Sequence, residues 1–128
     1  MKVLALDYGA ARTGVAVSDP TGTIARPVGI VERAASDDGL AAVRELVREH
    51  EVERVVVGLP LTLRGERGEQ AVATEAFVAS LREALDVPVE TLDERFTTTL
   101  AAQSGGASAE DARAAAHLLE GYLGRLRR

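Results

Sequence analysis

The alternation of apolar and polar positions divides the chain into short segments from its first residues onward. Two apolar runs, Val3 to Leu6 and Val15 to Val17, flank a tight polar stretch with Gly9 and Gly14 near its ends, which predicts two strands joined by a turn. Pro20-Thr21-Gly22 turns the chain into a third extended segment, Thr23 to Val31, and three sequential strands with short connections pair as antiparallel neighbours. Ser36-Asp37-Asp38-Gly39 signals a helix start, after which Leu40, Val43 and Val47 recur at helical spacing through His50. Val55-Val56-Val57 is short, β-branched and continuous, as in a strand with both faces buried, and it ends at Gly58-Leu59-Pro60.

Beyond a polar segment, Arg64 to Glu69, a second helix is expected from about Gln70 to Leu85, with Val72, Phe77, Leu81 and Leu85 as its apolar stripe. Val87 to Leu92 reads as a fifth strand, and Asp93 to Leu100 as a strand end turning into a short helix. After a loop from Gln103 to Ala107, Ser108 begins a last helix with Ala115, Leu118, Leu119 and Tyr122 on its apolar face. The order βββαβαβαα predicts an α/β fold over residues 1–128 as a single domain. Its sheet is five-stranded and mixed, in the order 3-2-1-4-5, with helices on both faces. Strand two runs antiparallel to central strand one; strands four and five run parallel to it.

Composition narrows the function more than the fold. A chain of 128 residues can bury one core but cannot supply two lobes that clamp a nucleotide. Without cysteine there is no disulfide, thiolate metal site or cysteine nucleophile. No apolar run approaches the ~18 residues of a membrane span, so the protein is read as cytoplasmic, with no membrane partner. The formal net charge of −5 argues against broad electrostatic binding of nucleic acid and leaves room for a local basic patch. The positive tail, Gly124 to Arg128, complements the dipole of its own helix.

The candidate chemistry is acidic. Asp7 stands where the first strand runs out, Glu94 just past the fifth, and Asp111 on the last helix, in register with Ala115 and Leu118. That spacing turns Asp111 inward, where an uncompensated carboxylate is costly. Ser108-x-x-Asp111 also matches a capping box, and on local pattern alone the cap is the better reading. Three carboxylates from separate elements meeting at one sheet edge, with no soft ligand available, would make a site for Mg²⁺ or Mn²⁺. His50, at a helix end, and His117, on a different face from Asp111, are read as solvated surface.

Four motifs carry a resemblance across nearly the whole chain. Asp7-Tyr8-Gly9-x-x-Arg12-x-Gly14-Val15-Ala16, Val56-Val57-Gly58-Leu59-Pro60, Asp93-Glu94-Arg95-x-Thr97-Thr98 and Asp111-x-x-Ala114-Ala115-x-x-Leu118-Leu119-x-x-Tyr122-Leu123 stand in the order and spacing of the YqgF/RuvX family. That family comprises pre-16S ribosomal RNA nucleases, also described as Holliday junction resolvases. The resemblance implies an RNase H-like fold and carries the family's three acidic positions onto Asp7, Glu94 and Asp111, as catalytic residues and metal ligands. Ala11, Arg64-Gly65 and the short segment before Asp111, which lacks basic residues, depart from the family pattern and bear on substrate grip.

The implied reaction is phosphodiester hydrolysis by two divalent ions ~3.5–4 Å apart, bridged by Asp7 and completed by Glu94 and Asp111, with no protein nucleophile. Arg12 and Arg95 are candidates for phosphate contact, against solvated surface arginines. Thr97 and Thr98 could position a phosphate or cap the following helix, and Gly58 permits close passage of the backbone at its strand end. The expected substrate is nucleic acid, either pre-16S rRNA trimmed at its 5′ end or branched DNA; the protein is expected to be a monomer or homodimer. Two rivals remain. One is the first phosphate loop of an actin-like ATPase, which needs a second lobe, and the other is a catalytically idle RNase H-like module in ribosome assembly.

Overall fold

The computed structural model describes residues 1–59, 68–93 and 107–126, the side chains of residues 107–109 excepted. Within these, the strands β1 (Val3–Asp7), β2 (Arg12–Ser18), β3 (Ala25–Glu32), β4 (Arg54–Leu59) and β5 (Val89–Asp93) form one sheet in the order β3-β2-β1-β4-β5. β2 lies antiparallel to β1 and to β3, whereas β4 runs parallel to β1 and to β5. The expected order and strand directions are those observed. Three described helices cover the sheet: α1 (Asp37–Glu49), α2 (Glu69–Ala84) and α3 (Ala107–Leu126).

Strand alternation assigns each side chain of the central strands to one of two apolar layers. Leu4, Leu6, Val15, Val17, Val55 and Val57 join Val43 of α1 and Phe77 and Leu81 of α2 in one. On the opposite face, Val3, Ala5, Ala16 and Val56 meet Ala115, Leu118, Leu119 and Leu123 of α3 in the other. Both faces of β1 and β4 are covered, which is why their sequences are continuously apolar. β3 is an edge strand and mostly exposed, and it carries Pro27, which has no N–H to offer a further strand. Its pairing slips at a bulge, where Val15 opposes Gly29 and Ala16 opposes Pro27; Gly29 adopts φ 155° there, a conformation suited to glycine.

Local signals set the helix ends. The Ser36 hydroxyl accepts a hydrogen bond from the Gly39 N–H at 3.0 Å, the expected N-cap of α1. On α2 the apolar stripe needs correction. Ala71, Thr74, Phe77, Val78 and Leu81 form its buried face, while Val72 is 53% exposed. Five residues advance a helix by about 500°, so Val72 lies about 140° from Phe77 and cannot share its stripe. Leu85 is buried, but as the residue that ends α2. The short helix expected between Asp93 and Leu100 falls outside the described residues beyond Asp93.

Candidate active site

Asp7 closes β1 and shares the parity of Val3 and Ala5, so it belongs to the face that α3 covers. Its antiparallel partner on β2 is Gly14. A Cβ on Gly14 would collide with the carbonyl of Asp111 and lie 3.2 Å from the Ala112 nitrogen. The second turn of α3 therefore rests on the bare backbone of β2, directly beside Asp7. A side chain at residue 14 would lift the helix and carry Asp111 away with it. One glycine thus brings together two acids that are about a hundred residues apart in sequence.

Arg12 shares the parity of Gly14, and its Nε stands 3.3 Å from Oδ2 of Asp111. The arginine side chain is 44% exposed and that of Asp111 31%. Oδ2 itself is buried and, among the described residues, has no hydrogen-bond partner. The guanidinium is close enough for Coulombic attraction but misaligned for hydrogen bonding. A buried carboxylate oxygen is ordinarily bonded, so this one is under-coordinated.

The capping box is displaced by this arrangement. α3 begins at Ala107, which puts Ser108 inside the helix and makes Asp111 its fifth residue, beyond the reach of a reciprocal cap. Neighbouring contacts hold the turn after Asp7 in place. Tyr8 stacks on Phe77 of α2, ring centroids 4.4 Å apart, and buried Thr13 accepts a hydrogen bond from the Gly9 N–H at 3.4 Å. Gly58 is buried within β4 opposite Leu92, on the α3 side by parity with Val56.

Glu94, Arg95, Thr97 and Thr98 lie outside the described residues. Among the described ones, no group of three His, Cys, Asp or Glu side chains is assembled as a metal site. Asp7 and the Asp111 turn are brought together at Gly14, with Arg12 beside Asp111. Two features were not read from the sequence: Gly14 as the seat of α3, and the pairing of Arg12 with Asp111. Asp7 and Gly14 being partners across a hairpin was the available signal, since a glycine opposite a candidate acid marks a close backbone approach.

A family model described as "RuvX: Holliday junction resolvase" matches residues 1–125. The chain belongs to this family. A protein of Chloroflexus aurantiacus named "Putative pre-16S rRNA nuclease" is 48% identical over 101 residues, which span 79% of this chain and 66% of that protein's length. One of the same name from Moorella thermoacetica is 38% identical over 98% of this chain and 96% of its own. Among solved structures, Thermus thermophilus RuvC in complex with a Holliday junction substrate superposes with a TM-score of 0.61 at 20% identity, covering 99% of this chain and 96% of RuvC. The fold of this RuvX family member is accordingly RNase H-like, with the five-stranded order and the covering helices described above.

At the opposite end of α3 a hydroxyl and a carboxylate are partnered. The Tyr122 hydroxyl accepts from Arg54 Nη1 at 2.8 Å and donates to Glu90 Oε2, and Arg54 stands 3.4 Å from the same carboxylate oxygen. Burial, reinforced by the bond to Glu90, raises the pKa of this hydroxyl above that of a free tyrosine. This cluster ties α3 to the first residues of β4 and β5.

Proposed function

We propose that this RuvX family member is a metal-dependent nuclease that hydrolyses phosphodiester bonds in the cytoplasm, processing the 5′ end of pre-16S rRNA. The names of its relatives support the substrate, and its fold supports the chemistry. One observation carries the reading: the Oδ2 of Asp111 is buried and has no hydrogen-bond partner among the described residues, on a helical turn seated over Gly14 next to Asp7. A hard oxygen with no hydrogen-bond donor fits a divalent cation. Asp7 and Asp111, with Glu94 as the third acid, would hold one or two Mg²⁺ or Mn²⁺ ions. Such cations supply Lewis-acid polarisation of the phosphodiester and neutralise charge on the leaving oxygen.

The protein's own contribution is placement. Arg12, anchored on β2 beside Asp111, offers a guanidinium to a phosphate oxygen, with Arg95, Thr97 and Thr98 as further phosphate contacts. Gly58 keeps side-chain bulk off the α3 side at the C-terminal end of β4. The Tyr8–Phe77 stack fixes the segment that follows Asp7, so the carboxylate is held by packing. Among the described residues, no helix is long and apolar enough to cross a membrane. The proposed state is monomer or homodimer.

A second reading, cleavage of four-way DNA junctions, is favoured by the description of the matching family model. The two are separated by offering the purified protein single-stranded RNA containing a pre-16S 5′ region, duplex DNA and a four-way junction, each with Mg²⁺, with Mn²⁺ and with EDTA. RNA cleavage that needs the metal and disappears in Asp7→Asn is the expected result. Preference for the junction would replace the substrate assignment. Cleavage that persists in EDTA, or that Asp7→Asn performs as fast as wild type, would overturn the nuclease site altogether; a folded protein that cuts nothing would favour the idle module.

A further inference from the structure

The Arg12–Asp111 contact joins a proposed phosphate-binding cation to a proposed metal ligand, and both cannot serve at once if the guanidinium stays where it is. The two partners differ in freedom. Asp111 belongs to a helical turn whose carbonyl rests against the bare Gly14 backbone, so its main chain has little room to retreat. Arg12 begins β2, its side chain is 44% exposed, and three or four torsions let it swing without disturbing the sheet. Its contact with Oδ2 is at ion-pair distance and without hydrogen-bond alignment, so little directional bonding is lost on separation. A cation of higher charge density that takes Oδ2 would therefore move the arginine and leave the acid in place.

We propose that Arg12 is an exchangeable counter-ion for Asp111: it pairs with the carboxylate when no divalent ion is bound and is released toward substrate phosphate when one binds. The proposal rests on the metal-site reading of Asp7 and Asp111. It gives Arg12 two coupled roles. Without metal it offsets the repulsion between two neighbouring carboxylates. With metal, its charge becomes available to nucleic acid, so metal and substrate bind with positive coupling even before any bond is cut. Glu32, the cross-strand neighbour of Arg12 on β3, is an acid outside the proposed metal site and serves as a control.

The test uses binding. Mn²⁺ affinity is measured by calorimetry on wild type, Arg12→Gln, Arg12→Lys, Glu32→Gln and Asp7→Asn, each checked for folding by circular dichroism. Arg12→Gln should bind Mn²⁺ about two- to fivefold more tightly, the scale of a half-exposed ion pair. Arg12→Lys should fall between it and wild type, and Glu32→Gln should match wild type. In EDTA, Asp111→Asn should bind a short oligonucleotide more tightly than wild type, and the gain should vanish in the Arg12→Gln/Asp111→Asn double variant. Asp7-dependent Mn²⁺ binding that Arg12→Gln leaves unchanged or weakens would overturn the exchange alone. Mn²⁺ binding equal in wild type and Asp7→Asn would overturn the metal site and the exchange together.

Discussion

The two ends of α3 treat their carboxylates in different ways. At the Tyr122 end, the hydroxyl, Glu90 and Arg54 bond one another, and Arg54 Nε alone is left buried without a hydrogen bond among the described residues. The same pole of the sheet holds the β2–β3 turn, where the Asp19 carboxylate accepts from the backbone N–H of Thr23 at 2.7 Å and of Ile24 at 2.8 Å, and from the Thr21 hydroxyl. At the Asp111 end, backbone meets backbone over Gly14, and the carboxylate is paired loosely and bonded poorly. A network whose hydroxyl and carboxylate bond each other stabilises one geometry, whereas an under-coordinated acid held rigidly in place stays available to a ligand. The first pole is a fastening and the second is the proposed site.

Breaking the acidic pole should have the largest effect. Asp7→Asn and Asp111→Asn are each expected to lower nuclease turnover at least about a hundredfold, because even indirect supports of a metal ligand cost 10–100-fold. Melting temperatures in EDTA should stay the same or rise as repulsion is relieved. Turnover within a few fold of wild type in a folded Asp111→Asn protein would make this pole a fastening too. Gly14→Ala probes the seat itself: the added methyl must push α3 off β2, at about 1–3 kcal/mol of stability by urea denaturation, together with loss of metal-dependent activity.

At the fastening pole, Tyr122→Phe should cost about 1–2 kcal/mol, with activity unchanged, because Arg54 and Glu90 can still pair directly. Loss of turnover in that variant at full folding would erase the distinction between the two ends. The smallest effect concerns acid. Hydrogen bonds from Ile24, Thr21 and Thr23 hold the Asp19 carboxyl well below its ordinary range. Its contribution to stability is therefore complete above about pH 4 and lost as pH falls toward its folded value. Thermal melts between pH 5 and pH 2 should show a shallower acid-induced decline for Asp19→Ala than for wild type.

Much of this architecture was legible from residue pattern. The continuous apolar runs Val3 to Leu6 and Val55 to Val57 named the doubly covered central strands, and Ser36 marked the start of α1. Val72 misled because a stripe of apolar residues was traced without honouring the helical angle. The inward face of Asp111 followed from its spacing to Ala115 and Leu118, but its neighbours did not. Ser108-x-x-Asp111 fits a cap by local rules, and only the start of α3 at Ala107 removes that fit.

The sequence by itself determined which segments are strands and helices, the order 3-2-1-4-5, and the acids worth weighing, because periodicity, turn residues and strand crossover rules act locally or between chain neighbours. The tertiary structure decided that Asp111 stands beside Asp7 and that Arg12 pairs with it. Those facts depend on where a twenty-residue helix lands on the sheet, and that is set by the single place where β2 has no side chain to hold it off.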